Sequence, residues 1–195
     1  LPDSFFPSSV KAISLGYHFQ QTIGPFTFPS GLKKLCFNNS GFGDYTHLLP
    51  STLEEFVING SADSEIQTEF LPEQLRMLTI LGPKWGMGCV LRKNIKTMDL
   101  MMYAWTMFPN GGFPMGLETI RIRCADGYEY FPYELIKSIP ITVNEIHFDF
   151  YRFQTFVLSP NTFPSRVTTI SFSKITEWTI RKLNRKKWIG GKEGG

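Results

Sequence analysis

The sequence is short of the residues that catalysis and metal binding draw on. Three cysteines, Cys36, Cys89 and Cys124, stand far apart with no CxxC among them. So sparse and odd a count argues against a disulfide framework or a zinc site and fits a reducing compartment. His18 and His47 have no HxH, HxxxH or cysteine partner at ligand spacing, and His147 is a lone strand histidine. The glycine-rich stretch GPKWGMG lacks the strand-GxxxxGK[ST]-helix setting that cradles a phosphate. No apolar run approaches membrane-spanning length and no secretory leader is visible, so the expected location is cytoplasmic, away from the membrane. The chain starts at Leu1 rather than Met and reads as a piece of a longer one.

Charge is scarce too. Charged residues are 19% of the chain and the net charge is +3. Residues 176–195 hold six Lys/Arg against two Glu, leaving 14 basic and 15 acidic residues in the other 175. A neutral body argues against nucleic acid as ligand, because phosphate binding draws on Lys/Arg charge. Apolar content of 42% is ample for a core, and Phe alone contributes 18 residues.

What the chain does have is repetition. An apolar residue and a proline open one fixed cadence eight times, beginning FPSSVKAISL at Phe6, FPSGLKKLCF at Phe28, LPSTLEEFVI at Leu49 and LPEQLRMLTI at Leu71. The series continues with LRKNIKTMDL at Leu91, FPMGLETIRI at Phe113, IPITVNEIHF at Ile139 and FPSRVTTISF at Phe163. Proline keeps its place in seven of the eight, Arg92 being the exception. The positions one before it and three, six and eight after it are Val, Ile, Leu, Met or Phe in all 32 cases. Successive units are 22, 21, 22, 20, 22, 26 and 24 residues apart.

Self-similarity at such a period means stacked units. Each cadence ends in a two-residue alternation rich in Ile, Phe, Val and Thr, which predicts a short strand with one face inward. One strand per unit of this length is the leucine-rich-repeat pattern, in which strands stack in parallel along a concave face. The predicted fold is therefore an α/β-type repeat solenoid, mostly β: eight repeats of about 20–26 residues, with irregular convex loops. Eight strands at about 4.8 Å each make a sheet roughly 40 Å long. TIGPFTFPSG and MFPNGGFPMG, dense in Gly and Pro, predict irregular turns, and Glu134–Ser138 predicts one helical turn. The expected organisation is a solenoid over 1–175 and a basic cap or tail over 176–195.

Within the first unit, residues 15–37 (LGYHFQQTIGPFTFPSGLKKLCF) closely resemble the FNIP repeat, a leucine-rich-repeat-like unit of amoebae and their large viruses. Phe19-Gln20-Gln21-Thr22-Ile23 stands where that family writes Phe-Asn-Gln-Pro-Ile, and Phe28-Pro29-Ser30 stands for its Leu/Ile-Pro-Ser. The resemblance implies an interaction scaffold, often joined to an F-box or a protein kinase domain, and through an F-box to ubiquitin-ligase components. Neither module is among these residues.

If positions three, six and eight after the proline point inward, those at five, seven and nine point outward on the concave sheet. The central outward column then reads Ser14, Cys36, Val57, Thr79, Asp99, Arg121, His147 and Ser171. Its neighbour reads Gly16, Asn38, Asn59, Leu81, Met101, Arg123, Asp149 and Ser173. Asp99, Arg121, Arg123, Glu145, His147 and Asp149 cluster on three adjacent strands, edged by Met101, Tyr103 and Tyr151. Exposed Arg, Tyr and Met on a rigid sheet are residue types enriched at interface centres, so the expected ligand is a protein or peptide, with no cofactor or metal. The same charges also fit cross-strand ion pairing, Asp99 with Arg121 and Arg121 with the acids of the next repeat. The expected state is a monomeric, non-enzymatic module. Rival expectations are a carbohydrate-active parallel β-helix, which needs several strands per rung and a matched pair of carboxylates, and a structural, self-associating module.

Overall fold

The computed structural model describes residues 1, 4–38, 47–59, 65–66, 70–82, 84–85, 91, 93–102, 112–124, 133–150, 157–158, 161–173, 179–180 and 187–190. Each repeat opens on a turn. The proline carbonyl accepts the N–H three residues on, from Val10 to Pro7 (3.0 Å), Leu32 to Pro29 (3.0 Å) and Leu53 to Pro50 (3.1 Å), through to Val167 and Pro164 (3.1 Å). Proline suits that first turn position, where only its carbonyl is needed.

The strands follow within a few residues. They are β1 (Ala12–Leu15), β2 (Lys34–Phe37), β3 (Glu55–Ile58), β4 (Glu65–Ile66), β5 (Met77–Ile80), β6 (Lys84–Trp85), β7 (Thr97–Met102) and β8 (Thr119–Cys124). Helix α1 (Tyr133–Ser138) precedes β9 (Glu145–Phe150), β10 (Val157–Leu158), β11 (Thr169–Ser173), β12 (Thr179–Ile180) and β13 (Lys187–Gly190). Among the described residues the main sheet has nine strands, in the order β1-β2-β3-β5-β7-β8-β9-β11-β13. All its pairs are parallel.

Register follows the repeat without a slip. Ile13, Leu35, Phe56, Leu78, Met98, Ile120, Ile146 and Ile170 stand opposite one another down the sheet. One carbonyl per repeat sets this phase by accepting two N–H groups from the next repeat. Lys11 O receives Lys33 and Lys34, and Asn144 O receives Thr168 and Thr169. Beside that entry, side chains two places after the proline reach back to the previous repeat. Thr52 Oγ1 donates to Ser30 O (2.6 Å), Asn94 Nδ2 to Glu73 O (2.9 Å) and Thr142 Oγ1 to Met115 O (3.0 Å). Gly116 holds that position where the preceding turn leaves no room for a side chain: a Cβ there would lie 2.3 Å from Lys93 O.

The core is the set of positions the cadence marks. All 32 are buried except Phe6, Val10 and Leu49, which still pack against it. In the last repeats the filling turns aromatic, with Phe148 stacked on Phe172 (5.0 Å) and Phe150 (5.7 Å). A single repeat leaves this row open to water, so stability accrues by stacking.

The structure adds two things to the expected one strand per repeat. Two small parallel pairs, β4 with β6 and β10 with β12, lie outside the main sheet. Two-residue strands are too short to leave a periodic trace. The ninth strand, β13, lies within the segment expected to be a basic cap or tail. It pairs with β11, Trp188 opposite Ile170, an offset of 18 residues and shorter than any spacing between the eight units. At that offset the proline and third-residue positions fall on Lys182 and Arg185, so the cadence is missing. The rest of 176–195, apart from β12, lies outside the described residues. Helix α1 begins at Tyr133, one residue before the expected turn. Among the described residues no helix is long and apolar enough to cross a membrane.

Candidate partner-binding face

Parallel pairing places the outward residues in the columns read from the sequence. Asp99 stands opposite Arg121, Arg121 opposite His147 and His147 opposite Ser171; Met101, Arg123, Asp149 and Ser173 form the next row. Alternation along each strand aims these side chains away from the core, as β9 shows with half-buried Glu145, His147 and Asp149 between buried Ile146, Phe148 and Phe150. Tyr103 and Tyr151, the expected aromatic edge, lie outside the described residues.

The ion pairing differs from the expected one. Asp99 is paired not with Arg121, directly opposite, but with Arg123 on the diagonal. The contact is two-pronged, Nε to Oδ1 at 2.8 Å and Nη2 to Oδ2 at 2.6 Å. A long guanidinium stem leaning along its strand reaches the diagonal neighbour with its fork parallel to the carboxylate. The Asp99 side chain is 8% exposed, so this partner satisfies a charge that burial would otherwise penalise. The Arg123 pKa is pushed up, first by the hydrogen bonds to Asp99 and then by the charges of Asp99 and Asp149, while burial pulls it down.

Arg121 is thereby left over. It is exposed, and it makes no hydrogen bond or ion pair among the described residues. On its far side His147 is engaged: Nδ1 lies 2.6 Å from Ser171 Oγ, and Nε2 lies 3.6 Å from Glu145 Oε2. Asp149 accepts the Ser173 hydroxyl at 2.5 Å. Ser171 and Ser173 thus enter the network although the sequence reading left them out of the cluster. Their column positions were the available signal, but a small hydroxyl carries no charge pattern to mark it.

The first half of the face is plain by comparison. Cys36 is outward and half-buried, and Asn38 Nδ2 lies 3.4 Å from its Sγ. Lys34 and Glu55 pair at 2.7 Å, and the hydrogen bond to Glu55 raises the Lys34 pKa. The inward Cys124 differs: burial pushes its thiol up to about 12, with Asp149 adding to the effect. Among the described residues no group of His, Cys, Asp and Glu is placed to hold a metal ion.

Away from the sheet face, a groove of about 880 Å³ follows the turns of the first three repeats past Pro7, Phe26, Pro29, Leu49 and Pro50. Among the described residues its lining has no Asp, Glu, Lys or Arg, and His47 is its one titratable side chain.

The family model of the FNIP repeat matches residues 1–40. Residues 1–40 carry an FNIP repeat. From that segment onward the parallel register extends one rung after another through β11. No match is found among curated proteins. Among solved structures, CroV588, described as a novel circular leucine-rich-repeat protein, aligns with 96% of this chain at 15% identity and a TM-score of 0.47. The chain spans about a third of that protein's length, 36%.

Proposed function

We propose that this repeat protein is a non-enzymatic interaction module that holds a protein or peptide partner against the outer face of β7, β8 and β9. One observation carries the reading. Asp99 and Arg123 are locked together while Arg121, one step away, stays exposed and has no partner among the described residues. A face on which Asp99 and Asp149 are each hydrogen-bonded, and on which the exposed Arg121 has no partner among the described residues, suits recognition. Its substrate-recognition role in a larger F-box or kinase protein follows from the FNIP likeness and belongs to the same proposal.

Capture of partners from a cell lysate, identified by mass spectrometry, tests it. Arg121→Gln is expected to lose a specific set of proteins while unfolding at the wild-type midpoint. Unchanged capture by a folded Arg121→Gln protein would sink the proposal. Arg123 is unsuited to the same test, since removing it strands the buried Asp99 carboxylate.

The second reading, a carbohydrate-active β-helix, gains one observation: the short parallel pairs β4–β6 and β10–β12 give some rungs a second strand. Against it, three of the four outward acids of the main sheet are matched to another group, Glu55 to Lys34, Asp99 to Arg123 and Asp149 to Ser173, and Glu145 lies 3.6 Å from His147. The row Glu145–His147–Ser171 has the composition of a nucleophile relay. However, Ser171 lies inside a strand paired on both sides, where backbone N–H groups are committed to the ladder and cannot gather around an oxyanion. Polysaccharide-binding and lyase assays test this reading, and activity on any polymer would favour it.

A further inference from the structure

We infer that the partner is an extended peptide segment that sets one carboxylate, an Asp or Glu side chain, on Arg121 and lays apolar side chains over the neutral strands beside it. The inference rests on the outer face being the binding surface, and it names what that surface accepts. Charge complementarity carries it. Arg121 is exposed, and its register neighbours on either strand are already engaged: Asp99 with Arg123, and His147 with Ser171 and Glu145. The surroundings also limit the ligand's charge. Three carboxylates, Asp99, Glu145 and Asp149, lie within one strand of Arg121 in the register. A phosphate dianion or a run of acidic residues would meet their repulsion, whereas a single carboxylate matches a single planar fork.

The rest of the ligand follows from the columns. Toward the first repeats the face presents the half-buried Met101, Leu81 and Val57 around a buried Thr79, with no charge in the two central columns before Asp99. Strands are about 4.8 Å apart and an extended peptide advances about 3.3 Å per residue, so a segment crossing from β8 to β3 spans roughly 14 Å, or four to five residues. The ligand therefore carries apolar residues within about five positions of its acid.

Selection from a random-peptide phage library on the intact chain tests this. Expected are peptides with one Asp or Glu near apolar residues, weakened about tenfold or more by Arg121→Gln or by changing the peptide's own acid to its amide. Arg121→Lys, which keeps the charge but loses the fork, should give a smaller loss, and Lys33→Gln none. Thermal unfolding of each variant checks that the fold is kept. Selected peptides without an acidic residue, yet displaced by Val57→Arg, would overturn the inference and leave the outer face as the binding surface. An empty selection, or binding indifferent to both Arg121→Gln and Val57→Arg, would overturn the inference and the proposed function together.

Discussion

The two halves of the sheet share one backbone and differ in what they do with its outer face. β1, β2, β3 and β5 are four residues long, whereas β7, β8 and β9 are six. In the longer strands β8 and β9 the added length brings a further buried inward position, Cys124 and Phe150. All the charge of these two outward columns also gathers there, on Asp99, Arg121, Arg123 and Asp149 with His147 beside them, while the central column of the first half holds Ser14, Cys36, Val57 and the buried Thr79. Inward positions therefore carry the fold in both halves, and the outward ones are free to diverge. On the proposed function, stability and recognition are separable residue by residue.

The largest expected effects fall on the shared part. Leu78→Ala in the first half and Phe148→Ala in the second should each cost roughly 3–5 kcal/mol in urea unfolding, since both are fully buried. A cost confined to one half would mean the array does not unfold as a single body. Next comes the contrast between the two arginines. Arg123→Met strands the buried Asp99 carboxylate and should cost roughly 2–3 kcal/mol, discounted because Arg123 is itself partly exposed. Arg121→Met should stay within about 0.5 kcal/mol. Equal costs would erase the distinction between the locked pair and the free fork.

Smaller effects sharpen the picture. Gly116→Ala drives a methyl into Lys93 O and should cost roughly 1–3 kcal/mol. Gly31→Ala at the equivalent position meets only the flexible Lys11 Nζ, at 2.7 Å, and should cost less. The Cys124 thiol, raised from 9.0 to about 12, contributes stability that is full at neutral pH and lost as pH climbs through that range. Urea midpoints measured at increasing alkalinity should fall less steeply for Cys124→Ala than for the wild type. Removing the exposed Lys33–Glu54 pair by Lys33→Ala should change stability by no more than about 0.5 kcal/mol.

The repeat made the main sheet readable in advance. A cadence fixed at four positions leaves one register that buries them all, so the outward columns follow by alternation. Three features escaped it. β13 has no cadence because Lys182 and Arg185 stand where a proline and an apolar residue would be. The two-residue strands are shorter than any period. The choice of Arg123 over Arg121 as partner of Asp99 depends on side-chain lean and reach, which column positions do not encode. The site was thus legible as a set of neighbours but not as a set of bonds.

Radical footprinting of the chain with and without a captured partner tests the binding face most directly, because the molecule holds its own reference. Met101 is half-buried on the outer face of β7, and Met115, 69% exposed, lies on the turn before β8. Binding at the outer face predicts that the partner slows oxidation of Met101 and leaves Met115 unchanged. Protection of Met115 with Met101 still open would place the partner on the turns and contradict the account.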